Sequence, residues 1–221
     1  MAAAKTSRSQ SQPDEQSPAA APQAGTLAGL RAEARECRAC PLWAPATQTV
    51  FGEGPERASL LFVGEQPGDQ EDLAGRPFVG PAGLLFDRAL ADAGIARQRA
   101  YVTNAVKHFK FVPRGKRRLH QKPTAGEIHA CNRWLVLEMA RVAPDLVIAM
   151  GATAARAVLG RATPVGASRG RLIEPDEARY KALVTVHPSY LLRLPDPAAK
   201  EREYERFVDD LRLCRPFLAD G

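Results

Sequence analysis

The sequence predicts an α/β protein, a three-layer α/β/α sandwich around a central four-stranded parallel sheet. The first observation is a set of four short apolar runs, bounded by glycine or polar residues, which indicate buried strands. These runs cover residues 59–63, 101–106, 145–150 and 182–186. The second observation is that segments with apolar residues at helical spacing separate the runs. Strands that alternate with helices at these lengths pair in parallel through right-handed crossovers.

Five helices are predicted from the same spacing. Pro81 opens one helix at its first turn and Gly94 closes it, while Gly160 closes another, because proline suits a helix start and glycine a helix end. The predicted helices cover residues 27–37, 81–94, 124–142, 151–160 and 199–213.

The composition indicates one globular domain preceded by a tail. With 221 residues and 45% apolar content, the chain is long enough for one sizeable core. Residues 1–24 are rich in Ala, Ser, Gln and Pro without a hydrophobic period, so we predict a disordered tail there and a single domain over residues 25–221. The sequence shows no signal peptide or membrane-spanning run, which favours a cytoplasmic location.

The basic residues indicate an acidic partner. The net charge is +6, and the segment 107–122 contains no acidic residue. Its cations are Lys107, Lys110, Arg114, Lys116, Arg117, Arg118 and Lys122. Together they would neutralise a stretch of phosphate backbone, and the interleaved Phe109 and Phe111 offer stacking faces. A solvated basic loop without a partner is the alternative, but the pattern favours nucleic acid.

One acid follows directly after the first predicted strand. In an open α/β sheet, ligands bind in the crevice beyond the carboxyl ends of the strands, which is where Glu65 lies. Gly64, Pro67 and Gly68 hold the backbone on an unusual path around this acid, which an ordinary polar surface turn would not need. We therefore expect Glu65 to face a ligand, with a solvated turn as the alternative.

The cysteines indicate a metal centre. In a reducing compartment four cysteines argue against disulfides and for metal ligation or burial, above all where two are spaced as Cys37-Arg38-Ala39-Cys40. A third, Cys131, lies on the predicted helix after the basic segment. The residues alone leave two centres open, because this pair with one further Cys and one His fits tetrahedral zinc as well as an iron-sulfur cluster.

Six sequence elements occur in a characteristic order: GEQPGDQED, RPFVGPAG, VTNAVKHFKF, KRRLH, MGATAA and HPSYLLR. Through them the chain resembles the uracil-DNA glycosylase superfamily, and specifically its UdgX branch, which is close to the iron-sulfur family 4. The resemblance covers roughly residues 27–213. The chain departs from ordinary family 4 members at His108, where they have a cysteine, and in its KRRLH segment, which they lack.

The resemblance implies a uracil pocket at the strand ends. A glycosylase extrudes the target base from DNA, stacks it and reads its Watson–Crick edge. Phe78 would supply the stacking face and Asn104 would match the uracil imide and carbonyl. Gln66 and Asp69 would be arranged around Glu65.

His187 follows the fourth predicted strand and so meets the same edge of the sheet. It would donate a hydrogen bond to a uracil carbonyl as the N-glycosidic bond breaks and negative charge gathers on the base. A simple cap of the strand end is the alternative. Beyond it, Ser189 and Arg193 would contact DNA phosphates. The other implied DNA contacts are Lys110, Lys116, Arg117 and Arg118.

The resemblance also selects a [4Fe-4S] cluster as the cofactor. Its implied ligands are Cys37, Cys40, His108 and Cys131, with Cys214 as the alternative to His108. We expect a structural role for this cluster, because cleavage of a glycosidic bond transfers no electrons.

His120, the last residue of KRRLH, is implied to become attached to DNA. Cleavage leaves an electron-poor sugar carbon that takes whatever nucleophile lies beneath it, and a neutral imidazole is a stronger nucleophile than water. In the UdgX branch the histidine matching His120 forms this bond and the protein is spent after one event. On spacing alone, His120 would be one more DNA contact in a basic segment.

The implied function is therefore excision of uracil from DNA, preferably single-stranded, by a monomer that ends covalently bound to the abasic sugar. Two alternatives remain: an ordinary multiple-turnover family 4 glycosylase of base excision repair, and a non-catalytic protein that binds uracil or abasic DNA. A nucleotide hydrolase is not supported, because the segment 64–68 lacks the Lys-Ser/Thr pair of a phosphate-binding loop.

Overall fold

The computed structural model describes residues 25–176 and 178–218, and the predicted tail over residues 1–24 lies outside them. The strands are β1 (Leu60–Gly64), β2 (Ala100–Asn104), β3 (Phe111–Arg114), β4 (Arg117–His120), β5 (Leu146–Met150), β6 (Leu172–Ile173) and β7 (Lys181–Thr185). The α-helices are α1 (Leu27–Arg35), α2 (Asp69–Ala74), α3 (Pro81–Asp92), α4 (Ala125–Val142), α5 (Ala152–Leu159), α6 (Val165–Ser168), α7 (Pro188–Leu192) and α8 (Pro197–Arg212). Single-turn 3-10 helices cover Pro41–Trp43, Arg97–Arg99 and Arg215–Phe217.

The central sheet has five strands in the order β2-β1-β5-β7-β6. The first four are parallel and correspond to the four predicted strands, which confirms the three-layer α/β/α fold. The fifth was not predicted: β6 pairs antiparallel with β7 over two residues, at the edge of the sheet. Two residues are too few for a periodic signal, so the pairing with β7 alone makes them a strand.

Each face of the sheet carries its own apolar layer. On one face, α1, α4 and α5 cover alternate strand residues such as Leu61 and Val147. On the other face, α3, α7 and α8 cover Leu60, Phe62 and Ile148. Because the strands are buried on both faces, they appear in the sequence as continuous apolar runs, and these were the clearest signals in the chain.

The basic segment, treated above as a loop, forms a hairpin of two strands. β3 and β4 pair antiparallel, with Phe111 opposite His120 and Arg114 opposite Arg117. Gly115 turns the chain with a φ of 58°, in the left-handed region that glycine adopts without strain. The eight strand residues mix apolar and charged side chains and are all exposed or half-buried, so no apolar alternation marked these strands in the sequence.

The strand order places a crevice between β1 and β5. The chain goes from β1 to β2 on one side, while β5 lies on the other side, and such a switch leaves an opening at the carboxyl ends of the strands. In residues 25–176 and 178–218, no helix is long and apolar enough to cross a membrane.

Candidate active site

A cleft of about 1170 Å³ runs along the carboxyl edge of the sheet. Each parallel strand brings one residue to it: Asn104 ends β2, Glu65 follows β1, Gly151 follows β5 and His187 follows β7. Phe78, from the loop before α3, also lines the cleft. The structure therefore brings together residues that are far apart in the sequence but follow neighbouring strands.

Glu65 is held from two sides. Its Oε2 atom accepts a hydrogen bond of 2.6 Å from the Thr153 hydroxyl, and its Oε1 atom lies 3.3 Å from Nε2 of His120. Burial by itself raises the pKa of Glu65, but the bonds with His120 and Thr153 outweigh it, so the pKa lies below its usual value. Glu65 is thus an ionised acceptor at neutral pH, in contact with the His120 ring.

His187 is a neutral hydrogen-bond donor in this cleft. Its Nδ1 atom accepts a hydrogen bond of 3.2 Å from the backbone N–H of Ser189, so the ring proton is assigned to Nε2. Desolvation by burial lowers the pKa of His187 to about 4, and the opposing attraction of Glu65 is smaller. The Nε2–H group is therefore available to a ligand at physiological pH, without a positive charge on the ring.

Asn104 and Phe78 approach each other across Gly64. A Cβ atom on Gly64 would lie 2.3 Å from Oδ1 of Asn104 and 2.7 Å from the Phe78 ring, so this approach requires glycine. Phe78 has a φ of 57°, a strained value for a residue with a side chain, and its ring lies 6.0 Å from that of His187. Asn104 is 2% exposed and lines the cleft, and within the described part of the chain no hydrogen bond occupies its side-chain amide. Its donor and acceptor are therefore free for a ligand.

The buried Lys107 holds the backbone at Asn104. It belongs to the basic segment, yet it is 1% exposed, and its Nζ atom donates to the Asn104 backbone carbonyl at 2.7 Å and to the Thr103 hydroxyl at 2.6 Å. It also forms a buried ion pair with Glu138. Lys107 therefore holds the end of β2, and our inclusion of it among the cations facing nucleic acid was wrong.

The hairpin is attached to α2 by one arginine. The Arg118 guanidinium pairs with Asp69 at 2.6 Å and with the buried Asp72 at 2.5 Å, and it lies over two phenylalanine rings at 5.1 and 5.4 Å. Arg118 was expected to contact DNA, but its charged group is used inside the protein. It instead holds β4, and with it His120, against the body of the fold.

Gln66 holds the base of the same hairpin. Its Nε2 atom donates to the backbone carbonyls of Lys110 and Gln121 at 3.2 and 3.0 Å, and its Oε1 atom accepts from the Lys110 N–H at 3.1 Å. Both ends of this amide are used by the chain on either side of the hairpin. Gln66 and Asp69, which we expected around Glu65, both act on the hairpin in this structure.

The remaining expected DNA contacts differ in their availability. Lys110 is paired with a glutamate of α4 at 2.9 Å. Lys116 and Arg117 are exposed at the hairpin tip and have no partner within residues 25–176 and 178–218. Ser189 and Arg193 line the cleft, where Nη1 of Arg193 donates to the Ser189 hydroxyl at 3.0 Å. Free cations therefore flank the cleft, but fewer than the sequence suggested.

The comparison with known proteins identifies the family. The model of the uracil DNA glycosylase superfamily matches residues 51–212. The chain belongs to the uracil-DNA glycosylase superfamily.

Among the relatives is a Type-4 uracil-DNA glycosylase from Thermotoga maritima, 37% identical over 186 residues, which cover 83% of this chain and 90% of the relative. The Type-4 uracil-DNA glycosylase of Archaeoglobus fulgidus is 33% identical, over 78% of this chain and 85% of its own length. That of Saccharolobus solfataricus is 31% identical, over 86% of this chain and 88% of its own length.

Three cysteines of this superfamily member gather on one side of the sheet. Cys37 and Cys40 pack against the apolar layer that contains Cys131. Cys214 is fully buried in the opposite layer, where burial raises the pKa of its thiol to about 12. The sheet therefore separates Cys214 from the other three, which excludes it as the alternative fourth ligand.

Two N–H groups are directed at the sulfur atoms. The backbone N–H of Lys107 donates to Sγ of Cys131 and the Trp134 indole donates to Sγ of Cys37, each at 3.2 Å. Within the described ranges, no three Cys, His, Asp or Glu side chains converge to hold one metal ion. Zinc draws its donors to within about 2.0–2.3 Å of one point, whereas each cluster ligand binds its own iron. The described side chains therefore contain no ready-made site for a single zinc ion.

His108 is the remaining candidate for a fourth ligand. It is 4% exposed, follows Lys107 directly, and its Nε2 atom lies 2.9 Å from the Thr49 hydroxyl. Burial, reinforced by the charge of Arg38, lowers the pKa of His108, so its imidazole is neutral, the form that binds metals.

Sequence reasoning missed the role of Thr153 in this glycosylase-superfamily site. Thr153 belongs to the MGATAA element, but its bond to Glu65 depends on β5 lying beside β1, which the order of strands along the chain does not show. It also missed Asp72, whose buried carboxylate accepts from Arg118. A signal existed in both cases, because each residue lies near the start of a helix that follows a strand end.

Proposed function

We propose that this protein excises uracil from DNA by cleaving the N-glycosidic bond. The observation that carries the proposal is the amide of Asn104, which lines the cleft without a hydrogen-bond partner among the described residues and lies beside the Phe78 ring and the His187 donor. An amide offers the donor and the acceptor that the uracil imide edge requires, and an aromatic ring offers a stacking face. The names of the Type-4 relatives support the same activity.

The chemistry requires that negative charge on the leaving base be stabilised. As the bond between C1′ and N1 breaks, its electron pair moves onto uracil, where the His187 Nε2–H and the Asn104 amide would stabilise it. The ionised Glu65 would stabilise the positive charge that develops on the sugar. No proton has to leave His187, because a neutral imidazole acts here as a hydrogen-bond donor only.

Release of free uracil from a single-stranded oligonucleotide tests this function. We propose single-stranded DNA as the preferred substrate, because its bases need no unpairing. Asn104→Ala should slow release by about 10- to 100-fold, the equivalent of the ~1–3 kcal/mol of a good base-edge contact. Asn132→Ala, on α4 and outside the cleft, is the matched control and should release uracil at the wild-type rate. Binding of uracil-containing DNA without any release would instead support a non-catalytic recognition protein.

We further propose that His120 captures the abasic sugar, as in the UdgX branch. The observation behind this is the 3.3 Å contact between His120 Nε2 and Glu65, together with a ring that is 50% exposed beside the cleft. With Nε2–H donated to Glu65, Nδ1 carries the lone pair that would bond to C1′. Glu65 would then accept the Nε2 proton of the imidazolium, and uracil leaves with the electron pair of the broken bond.

The names of the relatives favour a simpler alternative, in which water attacks the sugar and the enzyme turns over repeatedly. Denaturing electrophoresis of the protein with uracil-containing DNA separates the two. His120→Ser should abolish a denaturant-resistant protein–DNA band while uracil release continues, now with turnover, and His129→Ser, exposed on α4, should keep the band. Repeated uracil release by the wild-type protein without any band would establish ordinary turnover.

We also propose that Cys37, Cys40, His108 and Cys131 hold a [4Fe-4S] cluster. When bound, it would tie the segment after α1 to α4 and to the loop between β2 and the hairpin, as a structural link. About four irons per protein are expected after anaerobic purification. Cys131→Ala should lose the iron and Cys214→Ala should retain it, whereas stoichiometric zinc without iron would overturn the proposal.

A further inference from the structure

The cleft extends beyond the candidate uracil pocket to a second region beneath α8. This region, which we call the α8 lobe, is lined by Arg169, Arg193, Glu203 and Arg206. It lies at the β7–β6 end of the sheet, because Arg169 forms a bridge with Val184 of β7. Five strands at about 4.8 Å spacing span roughly 19 Å, more than one flipped base can fill.

Arg206 is held in the α8 lobe by a chain of ion pairs. Asp210 pairs with Nε of Arg169 at 2.6 Å, Nη1 of Arg169 pairs with Glu203 at 2.5 Å, and the second oxygen of Glu203 pairs with Arg206 at 2.6 Å. The Arg169 side chain is 7% exposed, so the chain is anchored inside the protein. Because Glu203 is fixed at its other oxygen, Arg206 is oriented before any ligand arrives, which lowers the entropy cost of binding.

A second arginine on the same helix provides the contrast. Arg212 forms the same i,i+3 pair, with Asp209 at 2.6 Å, but Asp209 is 66% exposed and neither residue lines the cleft. Arg206 is itself 63% exposed, so its guanidinium is accessible even though its partner is fixed. An exposed pair such as Arg212–Asp209 contributes little to stability or order. The anchoring of Arg206 is thus a feature of the cleft and not of the helix.

The charge of the α8 lobe favours an anion. Three arginines, Arg169, Arg193 and Arg206, face two acids, Glu203 and Asp210, so the lobe carries a net charge of +1. Within the lobe, Arg193 donates to the Ser189 hydroxyl, which also lines the cleft. A phosphodiester that follows the flipped nucleotide along this edge would meet arginines, which bind phosphate oxygens with fixed geometry.

We propose that the α8 lobe binds the phosphodiester of a neighbouring nucleotide, on one flank of the uracil, in the same DNA strand. This inference rests on the proposed function. It gives the protein an asymmetric footprint, because the flank that reaches Arg206 contributes to capture and the opposite flank contributes less at this end of the sheet.

The test measures the second-order rate of uracil release on single-stranded oligonucleotides, with wild-type protein, Arg206→Glu and the matched control Arg212→Glu. In about 0.1 M salt, Arg206→Glu should lower this rate about three- to tenfold and flatten its log–log salt dependence by at least about 0.7. Arg212→Glu should match the wild type. Shortening the flank that reaches the α8 lobe should slow the wild type to the rate of Arg206→Glu, whereas shortening the other flank should preserve the difference.

Equal rates for Arg206→Glu and Arg212→Glu, with uracil release intact, would overturn the proposal that the α8 lobe binds a phosphodiester. The proposed function would still stand. The same proposal would be overturned if Arg206→Glu stayed slower than the wild type after either flank was shortened. The charge would then act on the whole cleft and not on one flank. A wild-type protein that releases no uracil would overturn the proposed function, and this inference with it.

Discussion

The pocket side of the cleft and the hairpin side are held by different interactions. Glu65, Asn104 and His187 lie at the ends of parallel strands that are buried on both faces. His120 lies on an exposed two-stranded hairpin that is held to the body by the side chains of Arg118 and Gln66. We infer that bond cleavage is built into the rigid part of the fold. On the proposed mechanism, the fate of the sugar would depend on the appended hairpin, so substitutions should separate the two.

The largest effect is expected on the pocket side. His187→Ala removes the donor to the leaving base and should slow uracil release and adduct formation together, by about 10²–10³-fold, as for other donors to a developing anion. Single-turnover release and the denaturant-resistant band are measured in parallel. An adduct that forms at the normal rate in this variant would show that His187 does not act on the base.

A smaller and selective effect is expected at the attachment of the hairpin. Arg118→Ala removes the pairs with Asp69 and Asp72, so His120 should lose its fixed position and adduct formation should slow about 10-fold or more, the equivalent of 1.4 kcal/mol. Uracil release should change less than adduct formation. Arg117→Ala, the exposed neighbour, is the comparison and should cost no more than the roughly two- to threefold expected for one phosphate contact. Equal losses in both reactions would show that the hairpin also supports cleavage.

Thr153 connects the two sides through Glu65. Thr153→Val keeps the shape but removes the hydrogen bond to Glu65, worth about 1 kcal/mol or somewhat more for a charged acceptor, so adduct formation should slow roughly 5- to 10-fold. Thr153→Ser should restore the rate, since it keeps the hydroxyl. If neither variant differs from the wild type, the orientation of Glu65 does not depend on this bond.

Among the substitutions of cations, those at the exposed tip of the hairpin should have the smallest effect on the capture rate. Lys116→Gln and Arg117→Gln should each slow capture about two- to threefold and reduce the salt dependence by about 0.7, the contribution of one phosphate contact on single-stranded DNA. Lys110→Gln, at a paired lysine, should change the salt dependence less. Larger losses at Lys110 than at the tip would place the DNA on another face.

The smallest change is expected with pH. His187 stays neutral until the pH falls to about 4. Glu65 stays ionised to a lower pH than an ordinary glutamate, because its pKa is lowered. In single-turnover uracil release by the wild-type protein, the rate should therefore stay nearly constant from pH 8 to pH 5 and fall only below that. A fall with a midpoint near 6.5, the ordinary value for histidine, would contradict the assignment of a neutral, buried His187.

The strands, the long helices and the residues at the strand ends were predictable from the sequence. Burial on both faces forces an uninterrupted apolar run, and in a parallel sheet all such runs end at the same edge, so the positions of Glu65 and His187 followed, whereas β2 ends at Asn104, two residues before the predicted end at residue 106. The use of Arg118 and Gln66, in contrast, was not predictable. Both are ordinary polar residues in the sequence, and their partners are remote in the chain.

What only the tertiary structure decided is which elements are neighbours. The place of β5 beside β1 gives Thr153 its contact with Glu65, and the sheet separates Cys214 from Cys131. The turn at Gly115 lets a charged segment pair with itself and carry His120 to the cleft. Local periodicity reports how each segment is buried, but it carries no information on which segments meet, since long-range packing sets that.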